Sequence, residues 1–237
     1  MQKNRLFSRI CSLFLLCLFS GSLTHGSGIE ERFEGSSVIR YDVLFNGIPT
    51  GKVEWQYLGK SVISGHKVDI ILLNSDTNIL KLLNLESKEK VYIDSTTYLP
   101  VRVDRDVVFF GKKEKIKEMY DQDTGTITIA KSNSSGKDTL LHVEKPVHNI
   151  LSLLYFFPKD IELVKNKPLY FNLPTQKVTI KMLSENEIAF GKGKKDVYLL
   201  SGRGEKRFNL WLDKKERTPI KMEFIVPLGK ITIVRKS

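Results

Sequence analysis

The side chains that most often do chemistry are thinly spread in this sequence. Beyond the first 26 residues the histidines are His66, His142 and His148. A zinc site on one element needs close ligand spacing, as in H-E-x-x-H, because only then do two donors reach one ion. The nearest pair here is six residues apart and straddles an expected strand-to-helix junction, so the spacing favours structural or surface roles. Asp104 and Asp106 are two apart, which on a strand puts both on one face. Paired carboxylates can divide acid and base work, but on an exposed face they are a solvated pair. Gly191, Gly193, Gly202 and Gly204 form neither G-x-x-x-x-G-K-[ST] nor G-x-G-x-x-G, and suit a flexible hairpin. No serine sits in a G-x-S-x-G elbow. The sequence therefore implies no catalytic residue, no metal and no cofactor.

Binding chemistry is better represented. Lysines cluster at 112, 113, 115 and 117, at 192, 194 and 195, and at 214 and 215. Such clusters meet phosphates on nucleic acid or on lipid headgroups, and they also solvate strand edges and block edge-to-edge pairing. Aromatic side chains are plentiful, among them Trp55, Tyr155, Phe156, Phe171 and Trp211. Around a curved sheet these five are candidate lining for an apolar cavity, or they fill a core. Alternation alone leaves open which of them point inward.

The elements that must position these groups follow a period of two. Val53, Trp55 and Tyr57 alternate with Glu54 and Gln56, and Val178, Ile180 and Met182 alternate with Lys177, Thr179 and Lys181. One side of each strand then faces a core and the other faces water. Turn residues break the runs at Asn46–Pro49, Asp121–Gly125, Asp213–Pro219 and Pro227–Gly229. About a dozen strands result, too many for one flat sheet. The expected fold is mainly β: a strongly twisted antiparallel sheet curled into a half-barrel or open barrel around one internal helix. That helix is expected over 147–157, from the i, i+3, i+4, i+7 spacing of Val147, Ile150, Leu151, Leu154 and Phe157. Ile79, Leu80, Leu82 and Leu83 suggest a short apolar helical turn. No internal repeat is evident.

Residues 1–26 read as a cleavable signal peptide. Lys3, Arg5 and Arg9 precede an apolar run from Ile10 to Phe19, then small residues. Ten apolar residues suit a signal core and fall short of the ~20 that cross a bilayer. Both cysteines, Cys11 and Cys17, lie in that run, and neither follows the small residues of a lipidation site. Residues 27–237 are expected to form a single domain without disulfides. Losing the three leader cations takes the net charge from +11 to +8. Export makes nucleic acid an unsuitable partner and leaves anionic lipid headgroups as the acidic surface that basic turns would meet.

Several short motifs carry a family resemblance. Tyr41-Asp42-Val43 with Gly47-Ile48-Pro49-Thr50-Gly51 is similar to a Y-x-V-x-x-G-I-x-x-G opening. Tyr98-Leu99-Pro100-Val101-Arg102 resembles an L-P-x-R/K strand. Asn149 to Phe156 resembles a D-x-x-S-x-x-Y-[YF] helix, and Trp211-Leu212 with Thr218-Pro219-Ile220 a closing W-[LV]…x-P-[VIL] hairpin. Together, from about Arg40 onward, they resemble the bacterial exported family catalogued as domain of unknown function 3108. Asn149 departs from its usual Asp, and Pro158 from its usual Arg. The resemblance implies an envelope protein of antiparallel β structure and no enzymatic activity. By looser analogy the fold is similar to the half-barrels with an inner helix of periplasmic lipoprotein carriers.

The expected protein is thus periplasmic and non-catalytic, binding an apolar or amphipathic ligand such as a lipid or lipid-linked glycan. The other reading is a structural or adaptor protein that binds an envelope partner through its strand edges, with membrane proximity through its basic turns.

Overall fold

The computed structural model describes residues 38–79, 83–109, 111–132, 138–154 and 161–237. The expected leader, the tip of the polar loop at 133–137, and Tyr155 and Phe156 lie outside them. The described chain forms fourteen strands: β1 Val38–Phe45, β2 Ile48–Ile63, β3 His66–Ile79, β4 Leu83–Asp94, β5 Pro100–Phe109, β6 Lys112–Asp121, β7 Thr126–Lys131, β8 Thr139–His142, β9 Pro168–Asn172, β10 Lys177–Phe190, β11 Gly193–Arg203, β12 Arg207–Asp213, β13 Pro219–Val226 and β14 Gly229–Arg235.

All fourteen lie in one sheet, ordered β8-β7-β6-β5-β4-β3-β2-β1-β14-β13-β12-β11-β10-β9. Every neighbouring pair is antiparallel, and the first and last strands meet in the middle, Tyr41 opposite Arg235 and Phe45 opposite Ile231. The sheet is mainly β and not closed: β8 and β9 are its two edges. It curls because each strand buries alternate residues on one side. Tyr41, Val43, Trp55, Leu73, Val91, Val103, Ile127, Phe171, Ile180, Leu200, Met222 and Ile233 belong to a single buried cluster that spans the sheet.

The chain passes from one edge to the other through residues 143–167, and the start of that crossover belongs to the same cluster. Val147, Leu151 and Leu153 are buried in it. Val147 forms an isolated bridge to Asn172 of β9. The Gln122 amide pins the passage, donating to the carbonyls of Pro100 (3.1 Å) and Val147 (2.9 Å) and accepting from the Val147 N–H (3.1 Å).

The expected helix begins later than its apolar spacing suggested, and residues 155–157 lie outside the described residues. Residues 150–154 are helical, while Val147 is held by its strand bridge. Asn149 caps the first turn: its Oδ1 accepts from the Leu151 N–H at 2.8 Å, and Ser152 Oγ takes the Asn149 N–H at 3.3 Å. That is a reciprocal capping arrangement. The expected helical turn at 79–83 is corrected too. Ile79 ends β3 and Leu83 begins β4, and their backbones pair across the ladder, while Leu80 and Leu82 lie outside the described residues.

The fold also contains a repeat. The β4–β5 turn and the β12–β13 turn have one geometry. Asp94 Oδ1 accepts from the Thr96 and Thr97 N–H groups, and Asp213 Oδ1 from those of Lys215 and Glu216. Tyr98 and Arg217 both take φ of +56°. Each turn is followed by a proline, and each is preceded by a bulge that puts Pro100 opposite Ile93 and Pro219 opposite Leu212. The six strands β1–β6 and the six strands β9–β14 are successive copies of one meander around the sheet. Only Asp, Pro and the alternation persist between them, which is why the sequence alone hides the duplication.

Candidate functional site

The inner face differs between the two copies. In the first, three charged residues occupy positions where alternation calls for apolar ones. Glu89 shares a face with Val91 and Ile93, Arg105 with Val103 and Val107, and Glu118 with Ile116 and Tyr120. They come together on adjacent strands. Arg105 forms a fork with Glu118, Nη1 to Oε1 at 2.9 Å and Nη2 to Oε2 at 3.1 Å. Its Nε lies 3.4 Å from Glu89 Oε2. Tyr120 donates its hydroxyl to Glu118 at 2.6 Å. Asn149, at the cap of the short helix, interacts with both Glu89 and Tyr120.

One guanidinium cannot neutralise two buried carboxylates, and the closer pair is Arg105–Glu118. Burial pushes the Glu89 carboxyl up to about 7, with Arg105 opposing the rise and Glu118 adding to it. Glu89 is therefore the carboxyl of the cluster that takes up a proton as pH falls below about 7. Among the described residues its Oε1 has no hydrogen-bond partner, and neither has Trp55 Nε1, which stands in the same cross-strand row with Leu73 between them. What the cluster does mechanically is orient the crossover: removing Asn149 or its partners would leave buried polar groups unpaired.

In the second copy the equivalent positions are apolar. Phe208 and Phe224 face each other with ring centroids 5.9 Å apart. Gly202 leaves the space for Phe208, because a β-carbon there would run into its ring. Beside them lies a recess of about 60 Å³, lined by Ile150, Leu173, Val178, Phe208 and Phe224, with Gln176 and the Gly204–Lys206 turn at its mouth. That is room for about two water molecules. Among the described residues, then, this recess is a shallow apolar opening on one rim.

The outer face carries a second concavity, a groove of about 690 Å³ across β2–β6. Its walls mix both signs: Lys52, Asp76, Glu86, Val108 and Lys113 form one row, with Asp76 and Glu86 directly opposed, and Glu54, Asn74, Lys88, Asp106 and Lys115 form the next, where the charges alternate. Cross-strand opposite charges stabilise a wet face. Asp104 and Asp106 do share this side, as their spacing implies. Asp104 pairs with Arg102 at 2.6 Å, and Asp106 lines the groove. The later lysine clusters are engaged in ion pairs: Lys194 with Glu187 at 2.5 Å, Lys195 with Asp213 at 2.7 Å and also with Glu216, and Lys214 with Glu185. Lys195 and Arg235 hold the Glu216 carboxyl down at about 2.

The histidines are dispersed. His66 lies 3.5 Å from Asp94, and His142 is 3.1 Å from the Thr126 hydroxyl. His148 packs edge-on to Phe171 at 5.2 Å. Of the candidate lining residues, Trp55 and Phe171 are buried on the inner face. Trp211 stands on the outer face opposite Lys221, whose ammonium sits 4.6 Å from the centre of its ring. The matching residue of the first copy, Tyr92, has Arg102 over its ring at 5.2 Å. Tyr155 and Phe156 fall outside the described residues. Sequence reasoning missed Glu89, Arg105 and Glu118, although charges at apolar parity were the available signal.

No helix among the described residues is long and apolar enough to cross a membrane. No curated protein matches the chain. A β-barrel-like protein of domain of unknown function DUF1849 from Brucella abortus is similar in structure, with 8% identity, a TM-score of 0.59, and coverage of 84% of this chain and 94% of that one. At that identity the likeness concerns the fold alone. A candidate lipoprotein from Parabacteroides distasonis aligns with 9% identity over 86% of this chain and 94% of its own, at a TM-score of 0.32 that supports no conclusion. The order of motifs and the single curled sheet agree with a family model, "Protein of unknown function (DUF3108)", that matches residues 40–235, and the chain belongs to that family.

Proposed function

We propose that this protein is an exported, periplasmic, non-catalytic binding protein that holds an amphipathic ligand, a lipid or lipid-linked glycan, by its apolar part. The observation that carries this reading is the contrast between the inner faces. The first copy ties the crossover down with ions. The second presents Phe208, Phe224, Ile150 and Val178 around an opening on the rim. An acyl chain entering there would replace contacts between the crossover and the aromatic wall, and burying apolar surface supplies the driving force. A non-catalytic role is supported by where the buried ionisable groups go: Arg105 and Glu118 are committed to each other and to Tyr120.

The test is extraction and mass spectrometry of the purified protein, then titration with the fluorescent probe N-phenyl-1-naphthylamine. Bound lipid, together with probe uptake that Phe224→Asp weakens at least tenfold, is the expected result. Ligand-free protein that takes up no probe would overturn the proposal.

A second reading, an adaptor that binds an envelope protein through its sheet edges, is favoured by Leu140 on β8 and Tyr170 on β9, which are 60% and 74% exposed. Crosslinking in cells from those two positions would then trap one defined partner.

A further inference from the structure

Two turns lie side by side at one end of the sheet. Asn46 and Gly47 join β1 to β2, and Pro227 and Leu228 join β13 to β14. Because β1 pairs with β14, the turns are stitched together. Asn46 N–H donates to the Lys230 carbonyl, and Lys230 N–H donates to Asn46 Oδ1, both at 2.8 Å. Gly229 passes so close to the Asn46 side chain, at a φ of +146°, that no β-carbon fits. Nothing in this tight join hides its apolar side chains. Ile48 is 58% exposed, Leu228 65% and Ile225 56%.

Charge is distributed around them in a particular way. No acidic residue occurs from Phe45 to Lys52 or from Phe224 to Ile231, while Lys52 and Lys230 are exposed there. Lys230 also reaches Glu223 at 3.0 Å. The β11–β12 turn on this rim is flanked by exposed Arg203 and Arg207. The opposite rim is built otherwise. Three of its turns rest on Asp94, Asp121 and Asp213, whose carboxylates cap the backbone, and its Lys194, Lys195 and Lys214 are paired with Glu187, Asp213 and Glu185.

Aliphatic side chains grouped at loop tips and surrounded by cations are the composition that enters the boundary of an anionic bilayer. We infer that this rim docks on an anionic phospholipid surface. Ile48, Ile225 and Leu228 enter the headgroup layer, and Lys52, Lys230, Arg203 and Arg207 meet the phosphates. The recess beside Phe208 opens on the same rim, so docking presents it to lipid. Docking itself does not require the recess to hold anything.

Flotation with vesicles tests this, using the protein as its bacterial host processes it. Vesicles of 70% phosphatidylcholine and 30% phosphatidylglycerol are compared with pure phosphatidylcholine, in low and high salt. The expected result is binding to the anionic vesicles alone, released by salt. The double variant Ile48→Asp/Leu228→Asp lowers it at least tenfold, and Val62→Asp, an exposed position near the opposite rim, leaves it unchanged. All three positions are exposed, and circular dichroism with a thermal midpoint verifies folding. If the double variant proves less stable, Ile48→Ser/Leu228→Ser takes its place. Absence of binding, equal binding to neutral vesicles, equal loss with Val62→Asp, or no loss with the double variant would overturn the inference. Naphthylamine uptake, measured in the same variants without vesicles, reports on the ligand reading separately.

Discussion

The two six-strand copies share the β4–β5 and β12–β13 turn geometry and a cation over an aromatic ring on the outer face, and differ in what they bury. Tyr92 under Arg102, which pairs with Asp104, corresponds to Trp211 under Lys221, which pairs with Glu223. Inside, Glu89 and Arg105 stand where the second copy has Phe208 and Phe224, and Glu118 where it has Ile233. The lesson is that turn chemistry and alternation are enough to build the meander. The inner face is then free to specialise. One half meets the crossover with a polar cluster, and the other meets it with an apolar wall.

The comparison breaks most visibly at Arg105. Arg105→Leu leaves Glu118 buried without its counter-charge and should cost about 3–5 kcal/mol. Phe224→Leu, at the equivalent position, should cost about 1 kcal/mol because it removes only part of an apolar contact. Urea unfolding at pH 7.5 measures both, and equal losses would mean the cluster is not the anchor argued above. Gly202→Ala comes next. Its added carbon meets the Phe208 ring, and overpacking of this kind costs about 1–3 kcal/mol. Naphthylamine uptake should fall with it if the aromatic wall must keep its place.

Smaller effects sharpen the likeness of the turns. Asp94→Ala should cost about 1 kcal/mol for the lost backbone hydrogen bonds. Asp213→Ala should cost more, because its carboxylate also pairs with Lys195 at 2.7 Å. Thermal midpoints of the two variants give the difference, and adding Lys195→Met should close it.

The remaining effects are on pH dependence, and the two halves should have opposite signs. Glu89 has its folded pKa raised, so the native state holds the extra proton between about pH 4.5 and 7. Stability is then greatest below that window and falls as pH rises through it. Glu216 has its folded pKa lowered, so its contribution is complete above pH 4.5 and is lost as pH falls toward 2. Glu89→Gln should flatten the first slope and Glu216→Gln the second, each read from urea midpoints across pH. A single variant that flattened both would show that the halves do not titrate independently.

Much of the scaffold was legible before any coordinates. The alternating runs at 53–57 and 177–182 were expected as strands and lie in β2 and β10, because period-two apolarity and turn residues are local signals. Asp121–Gly125 and Asp213–Pro219 were expected as turns for the same reason. The apolar segments misled where composition stood in for contacts. Ile79 and Leu83 looked helical but pair across a ladder, and Val147 looked helical but bridges to β9. The site was least legible. Asp104 and Asp106 drew attention as a carboxylate pair, while Arg105 between them turns inward to Glu118. Trp211 was grouped with Trp55 by chemistry, and parity sets them on opposite faces.

The amino-acid order alone settled the class of fold, since each strand's alternation is written in neighbouring residues and needs no distant partner to be read. It also settled the motifs from Arg40 onward that mark the family. Folding decided what lies across from what: the meeting of β1 with β14, the repetition of the meander, and the gathering of Glu89, Arg105, Glu118 and Asn149 from four separate segments. Those depend on register between distant strands and on which face closes over the crossover. Both are fixed by the burial of the whole sheet rather than by any stretch of it.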